Sequence, residues 1–291
     1  EGHSKRRLWV IGGDGAMYDI GFQSLSRMMM SGMDIKVLVL DTQVYSNTGG
    51  QACTSGFTGQ VADMSAFGAA QHGKTEVRKE LGLLAIAHRG AFVHQSSQAA
   101  ASHLIAGVLK GLHKRRPAVF NIYTPCPVEH GLADDWSQHA ARFALESRAF
   151  PFLTYDPDGG PSFADCLSLE GNPSPEDDWP TYSLQYLDDA GGEQVLEVPL
   201  TVADWAATEG RFKPHFSEDL DVSDEWIAGF LDDVGDEDII AVLTDSADPS
   251  DYWKKMRKRD PDLGKALQGG GQFVPPLALE FATAGGLQKI Q

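Results

Sequence analysis

Short apolar runs alternate with segments of helical period over the first 155 residues. The runs 8–11, 35–40, 91–94 and 118–123 are bounded by Gly, Asp or Pro, and they read as buried strands. Between the first two, residues 18–30 place Ile20, Leu25, Met28 and Met29 on one helical face, with Gly32 as the stop. Residues 97–113 repeat the pattern with His103, Leu104, Val108 and Leu112, and Pro117 restarts the extended chain. Buried strands separated by helices predict a doubly wound, mostly parallel α/β sheet.

Past Tyr155 the periodicity weakens. Residues 156–161 form a turn cluster and 171–175 a loop rich in Pro and Gly. Short strands are expected at 195–198 and 239–243, and a basic surface helix at 251–259. The expected organisation is an α/β domain over 1–155, followed by an acidic, partly irregular extension over 156–291. No internal repeat is evident.

Charge sharpens that division. The net charge of −17 is carried almost wholly by residues 156–238, which hold 23 Asp/Glu against 2 Lys/Arg, whereas residues 1–155 hold 12 against 15. Such a segment repels phosphate backbones and argues against a nucleic-acid partner; a solvated acidic surface is its plainest reading. No apolar run approaches the roughly 20 residues that cross a bilayer, and no signal-peptide pattern opens the chain. Cys53, Cys126 and Cys166 are too few for a disulfide framework. A cytoplasmic protein is expected, with no membrane association. The first residue, Glu1, and the last, Gln291, look like boundaries of a piece cut from a longer polypeptide.

The candidate chemistry begins where the first run ends, at Gly12-Gly13-Asp14-Gly15, directly before a helix. Glycines admit a diphosphate to the backbone, and a helix N-terminus supplies donors and positive potential. Asp14 would repel such a ligand unless a cation lay between them, and magnesium is the hard, oxygen-seeking ion usually shared between carboxylates and phosphates. The remaining ligands should come from the end of the next strand, where Thr42 offers a hydroxyl and Val44 a carbonyl ahead of the polar loop 46–51. Either motif alone is more often an ordinary turn; their placement at consecutive strand ends is what points to a site.

These residues resemble the thiamine-diphosphate enzymes, and specifically pyruvate:ferredoxin oxidoreductases and their 2-oxoacid relatives. The stretches 13–15, 18–21, 41–42 and 44–51 look nearly intact, with Thr42 standing where most thiamine enzymes carry Asn. The resemblance implies that Asp14, the Thr42 hydroxyl and the Val44 carbonyl bind Mg2+. It implies that Gly13, Gly15, Asn47 and Thr48 also contact thiamine diphosphate, with Asn47 beside the thiazolium and the reacting substrate. It further implies that Cys126, between Pro125 and Pro127, supplies the fourth ligand of a [4Fe-4S] cluster whose other ligands lie upstream. Taken alone, Cys126 would be an inert thiol, as Cys53 and Cys166 are expected to be. Of the histidines, 72, 88, 94, 103 and 113 read as structural or surface residues, and a supporting role for His130 or His139 as improbable. Trp136, Trp205 and Trp253 read as packing anchors.

The implied activity is oxidative decarboxylation of a 2-oxoacid, pyruvate by default, to an acyl-coenzyme A, with electrons passed to ferredoxin or flavodoxin. A homodimer containing further domains of the same chain is implied, one of them supplying the Glu that activates the aminopyrimidine. The isolated chain should then bind cofactor weakly and be inactive. A non-redox thiamine decarboxylase or carboligase, and a silent assembly module, remain the alternatives.

Overall fold

A computed structural model of the chain describes residues 7–216 except 69, 175–176 and 188–192. The strands anticipated at 239–243, the helix at 251–259 and Trp253 lie outside the described residues.

Six strands form one sheet: β1 (Leu8–Gly13), β2 (Ile35–Asp41), β3 (Phe92–Ser97), β4 (Ala118–Tyr123), β5 (Leu153–Tyr155) and β6 (Leu167–Ser168), in the order β1-β2-β4-β3-β5-β6. The first four are mutually parallel, and β5 and β6 join antiparallel at the edge. The mostly parallel α/β fold is as expected. The sheet nevertheless continues past residue 155, because β6 pairs with β5 across a turn capped by the Ser162–Asp165 box of α6 (Phe163–Cys166).

Strand alternation sorts the core. Ile35, Val37 and Val39 of β2 face α1 (Phe22–Met30) and α2 (Leu81–Ile86), and pack with Leu25, Met29, Leu81 and Ala85. On the other face, Phe92 and Phe120 meet α3 (Ala101–His113), which approaches closely at Gly107 and Gly111. A Cβ at those positions would overlap the rings of His94 and of Phe120. His103, Leu104, Val108 and Leu112 share the half-buried side of α3, as their spacing predicts. Ile20 does not join Leu25 and Met29: it is 93% exposed. The chain leaves β1 through one π-helical turn, Gly15–Asp19, and only then enters α1, so the single period assumed from residue 18 is broken and Ile20 falls out of phase.

The region past residue 155 divides. Strands β7 (Thr181–Leu187) and β8 (Glu193–Pro199) make a separate antiparallel ribbon. After it, α7 (Val202–Ala207) and a 3-10 segment, Gly210–Phe216, return to the sheet. Trp205 and Phe212 are fully buried against Phe57, Tyr123, Phe150 and Phe152. Much of the described acidity is also engaged rather than free. Asp156 pairs with Lys110 and Lys114 at 3.1 and 2.7 Å, Asp158 with Lys114 and Arg116, and Asp165 and Asp204 close capping boxes.

Candidate functional site

The ends of β1, β2 and β4 converge at one edge of the sheet, where a parallel fold gathers its ligands. Asp14 follows β1 directly. It starts the π-helical turn but does not cap it; its side chain turns to the end of β2. There Oδ2 accepts from the Thr42 N–H at 3.0 Å and the Thr42 hydroxyl at 2.6 Å, and Oδ1 from the Gln43 N–H at 3.0 Å and the Ser55 hydroxyl at 2.6 Å.

Thr42 Oγ1 also lies 2.9 Å from the Val44 carbonyl while accepting from Ser46 Oγ at 2.9 Å. A hydroxyl has one proton, so it cannot donate to Asp14 and Val44 together. Burial, reinforced by the charge of Asp41, pushes the Asp14 carboxyl up to about 7, against the hydrogen bonds from Ser55 and Thr42. One Thr42 hydroxyl thus has two acceptors within reach, the Asp14 carboxyl and the Val44 carbonyl, and the carbonyl also accepts from the Ser46 N–H at 2.9 Å. The O–O separations of 2.6 and 2.9 Å from Thr42 Oγ1 to these two acceptors are those of oxygens sharing an edge of a Mg2+ octahedron, about 3 Å for bonds near 2.1 Å. The residues present fit a hard divalent cation. Among the described residues no group of three His, Cys, Asp or Glu side chains is placed to hold a metal ion.

The neighbouring motif residues are scaffolding. Tyr18 is wholly buried and donates to Asp41 Oδ2 at 2.6 Å, while Arg78 meets the same oxygen at 3.0 Å from between the rings of Phe57 and Phe150. Asp19 accepts the Tyr45 phenol at 2.5 Å and the Thr54 hydroxyl, which fixes the start of the polar loop 46–51. The Tyr45 ring covers Gly15, where a Cβ would sit 3.1 Å from the ring edge. At Gly21 a Cβ would lie 1.9 Å from the Ala16 carbonyl, so no other residue allows the turn. The loop closes on itself, with Tyr45 N–H donating to Gln51 at 3.0 Å and Gly50 N–H to Tyr45 at 3.0 Å.

Gln43 is the one non-glycine residue in this loop with a left-handed backbone, φ 60°, which costs a side-chain-bearing residue roughly 1–2 kcal/mol. The reversal it makes brings Thr42 Oγ1 and the Val44 carbonyl to the same side, beside Asp14.

Asn47 and Thr48 sit in a 3-10 turn, Ser46–Thr48, exposed at the sheet edge. The Thr48 hydroxyl has the Gln51 side-chain carbonyl and, at 3.1 Å, the Tyr45 carbonyl as acceptors within reach, whereas no hydrogen bond of the Asn47 side chain is present among the described residues. Cys126 follows β4 on the same edge and begins α4 (Pro127–His130) as a half-buried free thiol. Cys53 is buried 2.7 Å from Ser55 Oγ, and burial together with Asp14 pushes its thiol up to about 12, as befits an inert residue.

His130 is where sequence reasoning fell short. It is completely buried, and its Nε2 lies 2.7 Å from the Thr42 carbonyl, so that nitrogen carries a proton donated to the loop. Its Nδ1 faces Glu209 at 3.5 Å. Nothing local announces this, because Thr42 is 88 positions away.

The cluster lies at the ends of parallel strands, where α/β domains gather their ligands. Residues 2–122 match the family model described as "Thiamine pyrophosphate enzyme, C-terminal TPP binding domain", and the thiamine-diphosphate resemblance stands over that part of the chain. Among curated proteins, Moorella thermoacetica "Pyruvate:ferredoxin oxidoreductase" is 37% identical over 155 residues, 53% of this chain and 13% of that protein. "Pyruvate-flavodoxin oxidoreductase" of Trichormus variabilis is 33% identical over 155 residues, 53% of this chain and 12% of that one. The protein of that name from Rhodospirillum rubrum is 32% identical over 210 residues, 71% of this chain and 15% of the relative. The chain therefore spans only 12 to 15% of the length of these relatives. A solved 2-oxoglutarate:ferredoxin oxidoreductase of Magnetococcus marinus is 20% identical with a TM-score of 0.38, over 41% of this chain and 40% of that one.

Proposed function

We propose that this chain is the thiamine-diphosphate-binding portion of a 2-oxoacid oxidoreductase, with pyruvate as substrate and ferredoxin or flavodoxin as acceptor. The observation that carries the reading is the packing of Thr42 Oγ1 against both Asp14 Oδ2 and the Val44 carbonyl, at 2.6 and 2.9 Å. In this reading these three oxygens would hold Mg2+, which would supply the positive charge that lets a diphosphate approach Asp14. Gly13 and Gly15 leave the backbone open to the diphosphate, and Asn47 and Thr48 stand at the exposed rim toward the cofactor ring and substrate. When bound, thiamine diphosphate would supply the carbanion chemistry that releases carbon dioxide from a 2-oxoacid.

The chain's own contribution is orientation and charge. Asp14 presents its buried carboxylate to the cation, and Gln43 fixes the turn that delivers Thr42 and Val44. Tyr45 and Asp19 anchor the loop against Gly15. Cys126 would contribute one ligand to a [4Fe-4S] cluster completed from elsewhere in a longer polypeptide. Coenzyme A as acyl acceptor, a homodimeric assembly and a cytoplasmic location belong to the same proposal, as does the weak cofactor binding and inactivity of these 291 residues alone. What supports the redox assignment over a non-redox thiamine enzyme is the position of Cys126 at the site's edge, together with the names of the relatives.

Calorimetry on the complete polypeptide tests the reading. Thiamine diphosphate should bind in the presence of Mg2+ and be lost with chelator. Absence of binding under both conditions would favour a silent assembly module.

A further inference from the structure

A buried chain of polar groups ties the end of the described region to the loop that carries Thr42 and Val44. Arg211, within the 3-10 segment Gly210–Phe216, is 3% exposed. It donates from Nη2 to Gln43 Oε1 at 2.7 Å, from Nη1 to Gln60 Oε1 at 3.0 Å and from Nε to Glu209 Oε2 at 2.5 Å. Gln60 Nε2 in turn donates to the Gln43 carbonyl at 2.9 Å. Glu209, 1% exposed, faces His130, which donates to the Thr42 carbonyl at 2.7 Å. The Arg211 carbonyl accepts from the Val61 N–H at 2.9 Å, and Gly131 and Gly210 touch backbone to backbone with no room for a Cβ at either.

We infer that Glu209, Arg211 and His130 form a buckle that positions Thr42 and Val44 for the cation, so that residues 209–211 are part of the cofactor site's machinery. The inference rests on the cofactor reading above. Its physical basis is that Gln43 is strained at φ 60° and needs outside contacts to stay so. The buckle grips the Thr42 carbonyl and the Gln43 side chain directly, and the Gln43 carbonyl through Gln60. A guanidinium fork reaches Gln43, Gln60 and Glu209 together; one ammonium cannot span the same three acceptors. A buried ion pair is weak evidence of stability, but it is well suited to fixing one geometry.

Arg211→Met, Arg211→Lys and Gln43→Met should be compared with wild type in the complete polypeptide. Gln43→Met keeps the Arg211–Glu209 pair and serves if the Arg211 variants fail to fold. The expected result is at least a tenfold rise in the KM for thiamine diphosphate and in the Mg2+ concentration needed for binding, with kcat at saturation within twofold. Arg211→Lys should not rescue. Amide hydrogen exchange without ligand gives a second readout: Gln43 and Tyr45 should exchange at least tenfold faster, while β3 and β4 stay protected. Wild-type cofactor affinity and wild-type exchange in a folded Gln43→Met or Arg211→Met protein would overturn the buckle. If wild type binds no thiamine diphosphate while the variants still speed exchange at residue 43, the cofactor reading fails and the buckle stands.

Discussion

Thr42 Oγ1 approaches Asp14 Oδ2 to 2.6 Å across 28 residues of sequence, with a helix between them. Parallel pairing of β1 with β2 sets Gly13 beside Leu40, so whatever follows each strand must meet at the same edge. A buried carboxylate held there is a poor structural device and a good cation ligand.

Asp14→Asn separates the two roles. Asparagine keeps the shape and removes the charge, but its amide nitrogen must face the N–H of Thr42 or of Gln43, so the ligand-free protein should lose about 1–3 kcal/mol of stability. Mg2+-dependent thiamine diphosphate binding should weaken at least a hundredfold by calorimetry. Wild-type affinity in this variant would remove Asp14 from the metal site.

His94 predicts the acid limb of stability. It is wholly buried beneath Gly107, 2.8 Å from Thr154 Oγ1 and with its ring tilted against His103 at 4.7 Å, and burial, then the neighbouring His103, depresses it from 6.5 to about 4. A depressed histidine contributes stability that is fully present above pH 6.5 and is lost as pH falls toward 4. The loss is on the order of 3 kcal/mol by linkage. Urea unfolding of wild type and His94→Gln between pH 4 and 7 measures it; equal slopes for the two proteins would refute the assignment.

Gly21→Ala should cost roughly 3 kcal/mol or more, since the new Cβ would lie 1.9 Å from the Ala16 carbonyl and force the π-helical turn open. Displacing that turn also moves Asp19, so denaturation midpoint and cofactor affinity should fall together. A variant with wild-type melting would show that the turn relaxes freely.

Trp205 tests whether the segment after the β7–β8 ribbon belongs to the domain. It packs 5.0 Å from the Phe57 ring and 5.6 Å from Phe212. Trp205→Ala should destabilise the whole domain by about 3–5 kcal/mol, and a chain ending at residue 155 should aggregate because Phe57, Tyr123 and Phe150 would be bared. Independent folding of residues 1–155 would contradict this.

Cys126→Ser in the complete polypeptide should lower iron content by one cluster while thiamine diphosphate still binds. Cys53→Ser should leave iron unchanged. Unaltered iron in the Cys126 variant would favour a non-redox thiamine enzyme.

The first four strands, their parallel sense and the Gly-Asp-Gly motif were legible in the sequence because burial on both faces writes continuous apolar runs, and tight turns demand glycine. Strand β1, read as buried, instead lies at the edge of the sheet with Leu8, Trp9 and Ile11 exposed. The clustering of Asp14, Thr42 and Val44 was legible because it follows from two adjacent strand ends. The phase of Ile20 was not, since a single π-helical turn shifts a helical face without leaving a mark in composition. Nor were the roles of His130, Glu209 and Arg211. Local sequence fixed elements and their ends here, but contacts across 88 to 168 positions depend on how those elements pack. Only the tertiary structure decided that an arginine in an acidic, weakly periodic stretch would be buried against the loop that begins at the end of β2.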